Sequence, residues 1–195
     1  MRHGQLFLVC SPILLLTACD LPTGPFLDAL RERLAARHPV LVGAGDIAAC
    51  DSNGDEATAE LLDDIAGTVF TAGDNAYEFG TPVEFQNCYD PTWGRHKERT
   101  RPAAGNHDFA TPGAAGYFAY FGAAAGPPGL GYYSYDHAGW HIVVLESNRQ
   151  VLLDDAVQQS WLRQDLAANP ARCTVAYWHH PRFSSGSISS NRRPL

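Results

Sequence analysis

Val40-Leu41-Val42 is a short apolar run that ends on Gly43-Ala44-Gly45-Asp46, and it reads as a buried strand with a glycine turn behind it. The same figure returns twice. Thr68 to Ala72 runs into Gly73-Asp74, and Arg101 to Ala104 runs into Gly105-Asn106-His107-Asp108. Helical patterns stand between them. Asn53 to Ala66 predicts a helix with Leu61, Leu62 and Ile65 on one side, and Thr81 to Asn87 predicts a short one with Thr81 as its cap and Pro82 at its first position. Residues 110–131 are rich in Ala, Gly and Pro and read as loop. Tyr132 to Asp136 and Trp140 to Glu146 flank His137-Ala138-Gly139 as a hairpin. Ala156 to Ala168 predicts a helix with Val157, Trp161, Leu162 and Leu166 as its buried stripe. Thr174 to Trp178 is a last strand, leading into His179-His180-Pro181.

Helices alternate with strands, yet the hairpin is antiparallel. The expected class is α/β, with one mixed sheet or two packed sheets and helices outside. Three strands each run into Gly and then a polar side chain. Open α/β sheets gather ligands beyond the carboxyl ends of their strands, so the repetition predicts one shared site. The 195 residues suffice for one domain with a core, and 45% hydrophobic with 18% charged residues describes a globular chain. The net charge is −7 and no Lys/Arg block occurs, which argues against a nucleic-acid partner held through its phosphates. A small anionic substrate is still compatible with an acidic chain if bound cations invert the local sign.

The first segment reads as a signal and not as fold. Arg2 precedes an apolar run from Leu6 to Leu16, broken only by Ser11 and Pro12 and too short to span a bilayer. It ends in Leu16-Thr17-Ala18-Cys19, which resembles a bacterial lipobox. The expected organisation is a lipoprotein signal peptide over 1–18, a tether and short helix over 19–38, and one domain over 39–195. The short helix is predicted at Phe26 to Arg37, from Leu27, Leu30 and Leu34. The protein is then exported to a bacterial cell envelope and anchored to the membrane through acyl chains on Cys19. A plain secretory signal with an incidental Cys, or a start codon set too early, are the alternatives.

Gly45-Asp46, Gly73-Asp74-x-x-Tyr77, Gly105-Asn106-His107-Asp108 and His179-x-Pro181, in that order, resemble the calcineurin-like metallophosphoesterases, and among them the purple acid phosphatase type. The resemblance covers roughly Val40 to Gly186. It implies a metallophosphoesterase-like mixed β-sandwich flanked by helices and two metal ions. Asp46 and Tyr77 would bind the first ion, Asp74 would bridge, and Asn106 and His179 would bind the second. A phenolate favours Fe³⁺ at the Tyr77 site, with Fe²⁺, Zn²⁺ or Mn²⁺ at the other. His107 would aid the leaving group, with Asp108 orienting its ring through the second nitrogen. The implied reaction is hydrolysis of a small phosphomonoester by metal-bound hydroxide, as in an acid phosphatase. Outside the motifs, His96, His137 and His141 read as structural, Tyr89 and Trp93 as core, and His180 and Arg182 as residues beside the site or on the surface.

The family also carries a Gly-His-x-His motif after the His-x-Pro strand, and this chain has no His after His180. The expected fold is therefore incomplete at its C-terminus, either because the chain is a fragment, the favoured reading, or because it is a reduced homologue. A non-catalytic envelope lipoprotein or pseudoenzyme that keeps the fold, and a phosphodiesterase of the same superfamily, stay open as alternatives. Export favours a disulfide. Cys50 and Cys88 each follow closely on a motif-bearing loop, so a Cys50–Cys88 bridge is expected, with Cys173 left over; three buried free thiols is the other possibility.

Overall fold

A computed structural model describes residues 40–148 and 156–181. The signal segment with Cys19, the helix over 26–37 and the tail from Arg182 lie outside the described residues. The described chain is mixed α/β. Strands β1 (Leu41–Ala44), β3 (Thr68–Ala72) and β5 (Thr100–Ala103) form a parallel sheet in the order β1-β3-β5. Two-residue strands β2 (Ala48–Ala49) and β4 (Ala76–Tyr77) pair in parallel beyond it. A second three-stranded sheet holds β6 (Tyr133–His137), β7 (Trp140–Val144) and β8 (Cys173–Tyr177), with β6 antiparallel and β8 parallel to β7.

Period-two alternation decides what each face of these sheets meets. Val42 and Val69, side by side in the first sheet, join one apolar cluster with Leu62, Phe85, Tyr89, Trp93 and Tyr117. Leu41 and Phe70 turn the other way, into a second cluster with Ala103, Tyr133, Ile142, Val144 and Tyr177. That second cluster draws on both sheets, so they face one another across it. Phe70 and Tyr177 meet there with ring centroids 5.2 Å apart. Helices occupy the outer sides. α1 (Gly54–Asp63), the turn α2 (Pro82–Glu84) with its π-helical continuation Phe85–Tyr89, and α3 (Ala115–Phe121) cover the first sheet; α4 (Ala156–Ala168) lies on the second. Among the described residues no helix is long and apolar enough to cross a membrane.

Several elements depart from the sequence reading. In α1 the inward residues are Asp55, Ala59 and Leu62, while Leu61 is 65% exposed. Adjacent residues lie about 100° apart on a helix, so Leu61 and Leu62 do not share a face. The segment 110–131 is not simply a loop: α3 forms in it, flanked by short 3₁₀ turns, because Tyr117 and Phe121 bury one turn apart. In α4, Val157 and Leu166 are exposed, and the buried residue is Gln158, whose amide bonds the Glu146 backbone at 2.9 and 3.2 Å. The hairpin turn is two residues long, Ala138-Gly139, both at positive φ as a right-twisted hairpin requires.

Cys50 and Cys88 form a disulfide with Cα atoms 4.9 Å apart, and Cys173 is a free thiol. The bridge ties the end of β2 to the π-helical turn. Thr81 caps α2 in a reciprocal box with Glu84.

Candidate metal centre

The parallel strands β1, β3 and β5 end on one edge, and their three loops run side by side. Backbone bonds from Asp46 N to Gly73 O (3.0 Å), Ile47 N to Asp74 O (2.9 Å) and Ala48 N to Asn75 O (3.1 Å) continue the ladder past the sheet. Asp46 and Asp74 both adopt left-handed backbone, φ 56° and 51°. Asp tolerates that region better than most residues, at a cost on the order of 1 kcal/mol each, and such strain concentrates at sites. Gly105 must lack a side chain: a Cβ there would stand 2.1 Å from Asp74 Oδ1 and 2.3 Å from Asp74 N. The Asp74 carboxylate is therefore seated directly on the turn that follows β5.

Asp74 is 2% exposed and lies at the centre. Its Oδ1 accepts from the backbone N–H of His107 at 2.8 Å. Its Oδ2 stands 3.1 Å from Tyr77 Oη, 3.3 Å from His179 Nε2 and 3.9 Å from His107 Nε2. Tyr77 also donates to Asp46 Oδ1 at 2.6 Å, and His179 Nε2 is 3.1 Å from Asn106 Oδ1. All five residues expected as metal ligands, with His107 beside them, thus meet in one place. Asp46, Asp74 and His179 each offer a ligand atom, and these three atoms lie within 4.8 Å of one another.

The donor set fits a cation. His179 Nδ1 sits 2.8 Å from Ala72 O, a carbonyl that can only accept, so Nδ1 carries a proton. A neutral ring then presents a bare Nε2 lone pair to Asp74 Oδ2 and Asn106 Oδ1, two further acceptors. Three lone pairs converging on one point require positive charge between them, from a metal ion or a second ring proton. Burial, the largest single influence, works to lower the His179 pKa, but the hydrogen bond and charge of Asp74, the Ala72 carbonyl and the charge of Asp46 together raise it. Burial likewise works to raise the pKa of Asp74, and the hydrogen bonds from His179 and the His107 backbone overcome it and lower it. The Tyr77 phenol is pushed far up, first by burial and then by its bond to Asp46 and the charge of Asp74.

Asp108 does not orient His107. It is fully buried, and its carboxylate accepts from Gly105 N at 2.8 Å, Asn75 Nδ2 at 2.9 Å and Asn75 N at 3.2 Å. These donors belong to the β3 and β5 loops, which Asp108 ties together, and none of them is the imidazole. The His107 ring is held by the Glu78 carbonyl, 2.6 Å from Nδ1, and packs against Tyr77 with centroids 4.5 Å apart. Glu78 and the Ala72 carbonyl went unrecognised in the sequence because backbone acceptors leave no residue-type signature. Asn75 carried a signal, being inside the Gly73–Tyr77 motif, but no role.

His180 is exposed and shares two 3.0 Å hydrogen bonds with Ser147 Oγ, one from its backbone N–H and one through Nδ1. His96, His137 and His141 lie elsewhere: His96 beside Asp63 at 3.0 Å, His137 beside Thr68 at 3.3 Å, and His141 between Asp136 and Asp165. Compared with models of protein families the chain matches none, and a comparison with curated proteins likewise finds no match.

Proposed function

We propose that the protein is a metal-dependent phosphoesterase of the calcineurin-like, purple acid phosphatase type, exported and lipid-anchored on Cys19. The observation that carries this reading is the Asp74 carboxylate. It is buried and central, with a phenol on one side and an imidazole and an amide oxygen on the other. That arrangement suits two cations sharing one carboxylate, with Asp46 and Tyr77 holding the first and Asn106 and His179 the second. Bound there, the cations supply Lewis acidity to the phosphate oxygens and acidity to the attacking water. The phenol proton of Tyr77, held by two carboxylates, yields only to a strongly polarising ion. This favours Fe³⁺ on that side and Fe²⁺, Zn²⁺ or Mn²⁺ on the other.

The chain's own residues do the rest. His107 Nε2 faces the cluster and delivers a proton to the departing alkoxide oxygen as the P–O bond breaks. Asp108 and Asn75 hold the two loops in register, so Asp74 and His107 keep their separation. The substrate is a small phosphomonoester, whose charge an acidic chain accepts only through the cations.

The test is metal analysis after loading, together with turnover of a generic phosphomonoester and a phosphodiester. About two metal ions per chain, phosphate release from the monoester, and loss of both in Asp74→Asn and His179→Ala are expected. A visible absorption band on loading with Fe³⁺ that Tyr77→Phe removes places iron on the phenol side. Turnover of the diester alone moves the reading to a phosphodiesterase. Substoichiometric metal with no turnover of either ester sinks the enzyme.

A further inference from the structure

The loop between β4 and α2 is fastened with unusual density for a stretch of four residues. The Glu84 carboxylate takes hydrogen bonds from Glu78 N at 2.7 Å, Phe79 N at 3.2 Å, Thr81 N at 2.8 Å and Thr81 Oγ1 at 2.8 Å. Only the last two belong to the capping of α2; the first two reach back past the helix start. On the other side of the loop, Thr111 Oγ1 donates to Phe79 O at 2.6 Å, and Gly80 N donates to Ala76 O at 3.0 Å. Gly80 lies flat on the β5 loop, where a Cβ would come within 2.6 Å of Asp108 Cα. One product of all this is a single carbonyl, Glu78 O, aimed at His107 Nδ1 from 2.6 Å.

We propose that Glu84 is a positioning residue for His107. Its carboxylate fixes the loop over 78–81 so that the Glu78 carbonyl takes the Nδ1 proton, which leaves Nε2 as the ring nitrogen turned toward Asp74. A carbonyl cannot donate, so the bond is made only by the Nδ1–H tautomer. Free imidazole side chains favour the other tautomer, and a loosened loop would let the ring revert. The proposal rests on the phosphoesterase reading for what His107 does with that proton, and on the hydrogen bonds alone for where the proton sits.

The test is a long-range ¹H–¹⁵N spectrum of the ¹⁵N-labelled, metal-free full chain, with the His107 signals assigned by their loss in His107→Asn. Wild type is expected to show His107 protonated at Nδ1. Glu84→Ala should move the majority to Nε2–H. Glu84→Gln, whose single amide oxygen can serve only part of the loop, should fall between the two. If Glu84→Ala does not fold, Glu84→Gln carries the comparison. Wild-type His107 protonated at Nε2, or a pattern unchanged in the variants, overturns the proposal. Loss of the fold in Glu84→Gln overturns it too, since the carboxylate would then hold the domain and not the loop. With metal loaded, Glu84→Gln should lower kcat for a phosphomonoester about ten-fold with KM within about two-fold, a fraction of what a general acid contributes. A tautomer shift in a chain whose wild type turns over no ester would sink the phosphoesterase reading and leave the positioning role standing.

Discussion

Asp165→Asn perturbs the clamp that holds α4 against the β6-β7-β8 sheet. His141 is 2% exposed, and its two ring nitrogens lie 2.7 Å from Asp165 Oδ2 and 2.9 Å from Asp136 Oδ1. Both nitrogens can donate at once only when the ring is charged. Burial alone would lower its pKa, but the hydrogen bonds to Asp136 and Asp165 outweigh burial and hold it above the ordinary value of 6.5. The Asp136 side chain is 76% exposed and that of Asp165 only 10%, so solvent screens the first and leaves most of the attraction to the second. A hydrogen bond to a charged group contributes about 1.5–3 kcal/mol and one between neutral groups about 0.5–1.5 kcal/mol. Asp165→Asn is therefore expected to cost about 2 kcal/mol at pH 6 and about 1 kcal/mol at pH 9. The folded-state pKa is raised, so the contribution is complete below the unfolded value and lost as the pH rises through the folded one. Urea unfolding followed by Trp161 and Trp178 fluorescence, for wild type and variant at both pH values, measures this. Equal losses at pH 6 and pH 9 would refute the charged imidazole, and no loss at either would refute the clamp.

Gly105→Ala should displace the Asp74 carboxylate from the turn it rests on, and calorimetric titration with Zn²⁺ should show cation binding weakened by at least ten-fold; unchanged binding would mean that the turn yields freely. Replacing Cys50 and Cys88 by Ala opens a loop of 38 residues, which loop entropy values at about 4 kcal/mol as an upper figure. A melting temperature within a degree of wild type would contradict this. Asp108→Asn leaves buried N–H donors facing an NH₂ group, so it should cost about 1–3 kcal/mol in urea unfolding. It should not change the tautomer of His107, because Asp108 does not touch that ring.

The figure of strand, glycine and polar side chain was legible because backbone geometry and chemistry demand the same residues. Gly105 is there for Asp74, and Asp46 and Asp74 stand at the ends of strands whose apolar runs are short and plain. The helix α3 was not legible. Ala115 to Phe121 contains Gly116 and follows Pro112 and Gly113, a composition of low helical propensity, and the helix exists because Tyr117 and Phe121 pack among Phe85 and Tyr89. The inner face of α4 was misread for the opposite reason. Trp161 of the expected stripe does pack inward, against Tyr132 with ring centroids 4.8 Å apart, but the other inward contacts are polar, Gln158 to Glu146 and Asp165 to His141, and a search for an apolar stripe passes over them. Asp108 was adjacent in sequence to the histidine expected to need it, yet its carboxylate is taken up by Gly105 and Asn75. The ring found a main-chain carbonyl instead.

Asp46, Asp74, Asn106 and His107 follow strands of the first sheet, while His179 follows β8 of the other and bonds across to Ala72. A cation held by Asp74 and His179 would therefore act as a removable cross-link between two layers that otherwise adhere by side-chain packing and by hydrogen bonds such as those from the Tyr133 and Tyr177 hydroxyls to the Pro102 and Arg101 carbonyls. Each tenfold rise in free cation above its dissociation constant would add about 1.4 kcal/mol to their cohesion. Chelation would then register first as slippage of one layer over the other, before any strand came apart, and the ion supply around the protein would set how firmly its two halves are joined.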